Sequence, residues 1–121
     1  MTDDTNRNNR RSEVREQLAG KARIRVLEAP SADLRNATFD ADVYDTSASG
    51  LRVECDEMLD GCTLLMHVSL EGLDDTLPIR GEVLWASFEE DGSFQMGIEF
   101  RDNDTPVIVK WHNMLKAASA K

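Results

Sequence analysis

The sequence has few of the residues that mark membrane, secreted or metal-binding proteins. It has no run of 18 apolar residues, and its first eleven residues, MTDDTNRNNRR, are polar throughout. We therefore expect neither a membrane span nor a secretory signal, and predict a soluble, cytoplasmic protein. Only two cysteines occur, Cys55 and Cys62, and we interpret them as small buried apolar residues, because a reducing compartment disfavours a disulfide. No CxxC pair is present and His67 and His112 are far apart, so we predict no metal site and no cofactor.

The chain also lacks the groupings of residues that enzymes use. No His neighbours a Ser or Cys motif, and no phosphate-binding loop is visible, so we predict that the protein is not an enzyme. Asp40 and Asp42 have the spacing of a metal-binding DxD pair. An alternating strand exposes acids at the same spacing, and we interpret these two as part of a solvated strand face.

Positive charge is scarce and is concentrated at one end of the chain. The net charge is −9, yet residues 1–25 hold seven Lys or Arg against four acids, while residues 26–121 hold seven against nineteen. Affinity for long nucleic acids depends on many neutralised phosphates, so we expect no binding to DNA or RNA. A small ligand with two phosphates could still be held by two or three Arg of the basic segment.

The hydrophobic pattern predicts an all-β domain. A chain of 121 residues and 13.6 kDa fits one domain. Alternation such as that of Ala22, Ile24 and Val26 in KARIRVLE predicts strands. Near the C-terminus the spacing becomes helical and predicts an apolar helix face formed by Val107, Ile108, Trp111, Leu115 and Ala118. We predict a six-stranded antiparallel β-barrel with a flexible N-terminal arm and a C-terminal α-helix. The predicted layout is a disordered tail at residues 1–9 and a single domain at residues 10–121, with the barrel at about 21–101 and the helix at about 104–118.

Two short motifs suggest a pocket for an anionic nucleotide. In DTSASG, Asp45, Ser47 and Gly50 follow a predicted strand, and about 30 residues upstream RRSEVR places Arg11 and Arg15 four residues apart. The guanidinium forks match phosphate oxygens and can stack on a base, whereas carboxylate and hydroxyl groups can bond the polar edge of that base. Taken alone, Asp, Ser and Gly are also the residues that a turn uses for its own backbone bonding.

Together the two motifs resemble those of the PilZ domain family. That family binds the bacterial second messenger cyclic di-GMP (c-di-GMP) through an RxxxR motif in an N-terminal segment and a (D/N)xSxxG motif on a barrel. The stretch GEVLWASFEEDGSFQMGIEF at residues 81–100 is similar to the closing hairpin of the family. The resemblance implies that Arg11 and Arg15 contact the phosphates and stack on guanine, and that Asp45 and Ser47 hold a guanine edge.

The same resemblance implies a receptor whose arm changes conformation when the ligand binds and which then regulates an unidentified protein target. Motility, secretion and polysaccharide synthesis are the processes it suggests. Arg10, next to the first motif, could serve a second stacked ligand molecule, and the protein could be a monomer or a homodimer. The alternative is a ligand-independent module that acts only through protein contacts, as some relatives of this fold do.

Overall fold

The computed structural model describes residues 19–119 of the chain. The strands are β1 (Gly20–Glu28), β2 (Thr38–Ser47), β3 (Gly50–Cys55), β4 (Thr63–Leu70), β5 (Thr76–Phe88) and β6 (Phe94–Phe100), and the helix is α1 (Thr105–Ser119). A short 3-10 helix, Ala32–Leu34, lies between β1 and β2. The predicted tail at residues 1–9 and the arm with Arg10, Arg11 and Arg15 lie outside the described residues.

The six strands form a closed antiparallel barrel in the order β1-β2-β3-β6-β5-β4, and β4 pairs back to β1. The predicted fold, a six-stranded antiparallel barrel followed by a C-terminal helix, is confirmed. Closure pairs each of these strands on both sides, so the described sheet has no open edge to which another chain could add a strand. A dimer would have to form through a different surface.

The core lies inside the barrel and follows from the alternation in the sequence. In β1 the side chains of Ala22, Ile24 and Val26 are buried, and the basic residues between them are exposed, as predicted. The other strands contribute fully buried side chains to the same core, among them Leu51, Val53, Leu64, Met66, Val68, Ile79 and Met96. Burying a side chain of this size stabilises the fold by roughly 1.5–3 kcal/mol, so this core is the main source of stability.

The connections divide between two ends of the barrel. The turn between β2 and β3, the loop between β4 and β5, and the link from β6 to α1 lie at one end, which we call the turn end. The three other loops lie at the opposite, distal end, where Leu59 of the β3–β4 loop is fully buried. Cys55 and Cys62 flank that loop, and both are free and buried, as predicted. Burial raises the pKa of both thiols.

Helix α1 begins one residue after the predicted start. The carbonyl of Asp104 accepts from the amides of Val107 and Ile108, which opens the helix. The side chain of Asn103 bonds the backbone of β5: it accepts from the amide of Arg80 at 2.9 Å and donates to the Arg80 carbonyl at 2.8 Å. The link that precedes the helix is thereby fixed to β5, the strand against which α1 chiefly packs.

The outer face of β1 and β2 carries paired charges. Lys21 bonds Asp42, and Arg23 donates to Asp40 at 2.9 Å, on side chains that are all mostly exposed. The DxD acids therefore face cations on the neighbouring strand, and no group of His, Cys, Asp and Glu within residues 19–119 could hold a metal ion. In the same part of the chain, no helix has the length and hydropathy needed to cross a membrane.

Candidate ligand-binding site

The D-x-S-x-x-G motif forms a tight hairpin at the turn end of the barrel. Asp45 and Ser47 are the last residues of β2, residues 48 and 49 make the turn, and Gly50 opens β3 directly opposite Ser47. The Ser47 Oγ lies 3.4 Å from the Gly50 carbonyl oxygen, so the hydroxyl closes the hairpin with a weak hydrogen bond. The motif is thus part of the sheet and is held by its ladder.

A β-bulge at Tyr44 decides where the motif side chains point. Val43 pairs with Val53, but the next pair joins Asp45 to Arg52, so β2 has one extra residue at this point. An extra residue reverses the inward and outward alternation of the strand. After the bulge, Thr46 pairs with the core residue Leu51, whereas Asp45 pairs with Arg52 on the outer face of the barrel and Ser47 follows in the same phase. Both motif side chains are largely covered there, since Asp45 is 8% and Ser47 2% exposed.

A row of side chains crosses four strands on that outer face. Asp45 forms an ion pair with Arg52, with 3.3 Å between Oδ2 of Asp45 and Nε of Arg52. The side chain of Asp45 is only 11% exposed. The guanidinium carbon of Arg52 lies 5.8 Å from the centre of the Trp85 ring, within the range of a cation–π contact. Gly97 lies between them in register, as the partner of Arg52 on one side and of Trp85 on the other.

Trp85 covers Gly97, and the glycine leaves the space for it. A β-carbon on Gly97 would lie 2.1 Å from the indole Nε1, so any larger residue would displace the ring. A second bulge, between Val83 and Trp85, directs the indole outward. Trp85 is 40% exposed, so part of the residue is accessible beside the Asp45–Arg52 pair.

Tyr44, the bulge residue, adds a fixed hydroxyl to the same surface. Its OH donates to Gln95 Oε1 at 2.9 Å. Burial raises the pKa of Tyr44, and Arg52 opposes this to a smaller extent. The phenol therefore keeps its proton at neutral pH and acts as a donor.

Three consecutive carbonyls of the hairpin are bonded from outside it. The indole Nε1 of Trp111 donates to the Ser47 carbonyl at 2.9 Å, His112 Nε2 lies 3.3 Å from the carbonyl of residue 48, and the amide of Phe100 donates to the Ser49 carbonyl at 2.9 Å. Two of these donors come from α1 and one from the end of β6. The backbone of the turn is therefore fixed in orientation.

Of the residues that the sequence singled out, the structure brings Asp45, Ser47 and Gly50 together in this hairpin. Arg10, Arg11 and Arg15 lie outside the described residues. Gly50 has ordinary backbone angles, since the described glycines with positive φ are at other positions. Its lack of a side chain matters because a β-carbon there would lie 2.3 Å from the Ile98 carbonyl oxygen on β6.

Four neighbours of the motif were not identified from the sequence: Tyr44, Arg52, Trp85 and Trp111. Tyr44 and Trp85 lie on the outer face because of bulges, which leave no clear signal in a sequence. Trp111 was identified only as part of an apolar helix face. Its bond to Ser47 spans 64 residues, a separation that no local pattern reports.

Comparison with known proteins agrees with this architecture. Residues 9–115 match the family model of the PilZ domain. The chain is similar to the PilZ domain with c-di-GMP of YcgR from Escherichia coli, with a TM-score of 0.68, 12% identity and 93% of each chain covered. It is also similar to YcgR from Escherichia coli in complex with c-di-GMP, with a TM-score of 0.71, 17% identity, and coverage of 92% of this chain and 46% of that one.

A further similar structure is the Bacillus subtilis inhibitor of motility MotI/DgrA, with a TM-score of 0.64, 16% identity, and coverage of 84% of this chain and 47% of that one. The chain thus spans about half the length of these YcgR and MotI chains. No curated protein matches it significantly in sequence. Structural likeness at such low identity shows the fold alone, but the family model covers most of the sequence. On that match, the chain belongs to the PilZ domain family.

Proposed function

We propose that this protein is a non-enzymatic receptor for c-di-GMP that regulates a protein partner. The observation that carries the proposal is the placement of Asp45 and Ser47 on the outer face of the barrel, on a hairpin held by three outside hydrogen bonds. Beside them lie the guanidinium of Arg52 and the partly exposed Trp85. These groups suit a guanine base, which has both a polar edge and a flat apolar face.

The polar groups match the edge of guanine. A carboxylate only accepts hydrogen bonds, so Asp45 would accept from the ring N–H and the amino group of guanine, and it would repel phosphates. Arg52 holds one carboxylate oxygen of Asp45 at 3.3 Å, which orients the acceptor. The 40% exposed indole of Trp85 offers a surface on which the base could stack.

The basic arm would supply the contacts to the phosphates. β1 begins at Gly20, which pairs with Val43, two residues before the motif aspartate. Arg15 is five residues before Gly20, so an extended chain could carry it up to about 17 Å from that point, and Arg11 up to about 30 Å. Both can reach the ligand, and their forks suit phosphate oxygens. Arg10 would contact a second, stacked ligand molecule.

Binding would then order the arm over residues 7–18 and change the surface that a partner meets. Ordering opposes binding by about 1–2 kcal/mol for each residue fixed. We therefore expect a modest affinity of about −8 kcal/mol, in the micromolar range. We place the protein in the cytoplasm, with its output in motility, secretion, polysaccharide synthesis or a similar process.

Calorimetric titration of c-di-GMP into the full chain tests the proposal, with GTP and cyclic di-AMP as ligand controls. Arg11→Ala and Arg15→Ala should each abolish saturable binding while the circular dichroism spectrum stays unchanged. Arg35→Ala is the matched control, since it removes one positive charge from an exposed residue at the distal end.

Arg7 and Arg11 form a second RxxxR pattern that overlaps the first, and Arg7→Ala tests which of the two patterns binds the ligand. It should bind like the wild type, because the proposed pair is Arg11 with Arg15. A saturated stoichiometry of two ligands per chain would support the role of Arg10, and a ratio of one would refute it. No heat at several temperatures with near-millimolar ligand would refute the receptor proposal and favour the ligand-independent module.

A further inference from the structure

Helix α1 is attached directly to the hairpin that carries the motif. Trp111 and His112, adjacent at the middle of the helix, reach the carbonyls of two adjacent hairpin residues, 47 and 48, at 2.9 and 3.3 Å. A carbonyl can only accept, so a hydrogen bond at this contact requires the His112 tautomer with its proton on Nε2. The helix otherwise packs chiefly against β5, on the far side of β6 from the hairpin.

The contact from Trp111 is buried. Its side chain is fully buried, and its ring meets Phe100 edge to face with 5.3 Å between centroids. Phe100 in turn donates its amide to the Ser49 carbonyl. Ser47 is itself only 2% exposed, so water has little access to its carbonyl if the indole donor is removed. The loss of a buried hydrogen bond is unfavourable, and the turn would move to recover it.

We propose that Trp111 and His112 are positioning residues of the ligand site: they hold the hairpin carbonyls so that the side chains of Asp45 and Ser47 face the ligand. This inference rests on the proposed function and extends the site to the C-terminal helix. The affinity for the ligand then depends on the docking of α1. By thermodynamic linkage, a bound ligand stabilises that docking by the same factor.

Trp111→Phe tests the role of the indole N–H because it keeps an aromatic ring against Phe100 and removes only the donor and part of the ring volume. We expect c-di-GMP to bind about tenfold more weakly, the effect of losing one buried hydrogen bond to the hairpin. His112→Ala, at an exposed position, should weaken binding about two- to threefold with little loss of stability.

Val26→Ala is the control for stability. It removes two buried methyl carbons near the distal end of β1, away from α1 and the hairpin. All variants are titrated at a temperature at which circular dichroism shows each to be folded, and Val26→Ala should bind like the wild type. Loss of affinity in Val26→Ala equal to that in Trp111→Phe would show that binding merely follows stability and would overturn the inference.

A readout without ligand separates this inference from the proposed function. In amide NMR spectra of the ligand-free protein, Trp111→Phe should shift and broaden the signals of residues 46–50, and Val26→Ala should leave them in place. Unchanged hairpin signals in Trp111→Phe would refute positioning whether or not the wild type binds c-di-GMP. Shifted hairpin signals together with no binding by the wild type would refute the proposed ligand and leave the attachment of the hairpin to α1 supported.

Discussion

Replacement of the motif glycine, Gly50→Ala, tests how closely the fold and the proposed site are linked. A β-carbon at this position would lie 2.3 Å from the Ile98 carbonyl oxygen, well inside van der Waals contact. The atom in the way belongs to the backbone of β6, so relief requires β3 and β6 to separate. Overpacking of this kind destabilises by about 1–3 kcal/mol. The smaller entropy of the unfolded alanine chain offsets about 0.4–1 kcal/mol of this.

We therefore expect Gly50→Ala to lower the free energy of unfolding by about 1–2 kcal/mol, which corresponds to a fall in Tm of about 5–10 °C for a domain of this size. Urea denaturation followed by circular dichroism measures the change. Because β3 begins opposite Ser47, its displacement should also weaken c-di-GMP binding. A denaturation midpoint equal to that of the wild type would refute the close approach of the two strands.

Gly92→Ala is the matched control in the distal β5–β6 hairpin. No atom lies within 4 Å of a β-carbon there, but φ is +91°, so alanine is strained by its backbone conformation alone. That strain destabilises by roughly 1–2 kcal/mol, similar to the loss expected at Gly50. Ligand affinity should stay unchanged in Gly92→Ala. If both variants bind equally well, Gly50 serves the fold and not the site.

Three further predictions concern single side chains. Arg52→Ala removes the ion pair that Arg52 makes with the motif aspartate, which is 11% exposed, and should lower the free energy of unfolding in urea by about 1–2 kcal/mol; an unchanged midpoint would contradict this. Hydrogen bonds from Ser93 lower the pKa of Asp91. The carboxylate therefore stabilises its hairpin at pH values above the ordinary aspartate pKa of about 3.9, and this stabilisation is lost as the pH falls through the lowered pKa. Asp91→Asn should thus be less stable than the wild type in denaturant at pH 7 and converge with it at about pH 2; a constant difference would contradict the sign. Burial raises the pKa of Cys55 and Cys62. The native protein should therefore react slowly with a thiol-specific chromogenic disulfide at pH 8, and unfolding in urea should expose two thiols. Rapid reaction of the folded protein would contradict their burial.

Much of the barrel could be predicted because local pattern and tertiary environment agree. The alternation in β1 reports directly on which side faces the core, and the six predicted strands all occur. Helix α1 was predicted from its spacing, and Trp111 and Ala118 of the predicted face are buried. Met114 was not in that face, yet it is buried too, because the barrel surface contacts a wider stripe of the helix.

The orientation of the site could not be predicted in the same way. The alternation of Phe39, Ala41 and Val43 continues in phase to Asp45, and would place that carboxylate inside the barrel. The bulge at Tyr44 reverses the phase, and it depends on pairing with β3. The row from Asp45 through Arg52 to Trp85 likewise depends on register across four strands, which is non-local.

An NMR titration with c-di-GMP tests the central claim most directly, because the two indole N–H signals report on different parts of the proposed site. Trp85 is exposed beside Arg52, whereas Trp111 is buried and bonded to Ser47. We predict saturable shifts of the Trp85 indole and of the amides of residues 45–52, with no change in the distal loops at residues 33–35 and 89–92. Shifts confined to the distal loops, or no saturable shift, would contradict the placement of a c-di-GMP site at this hairpin.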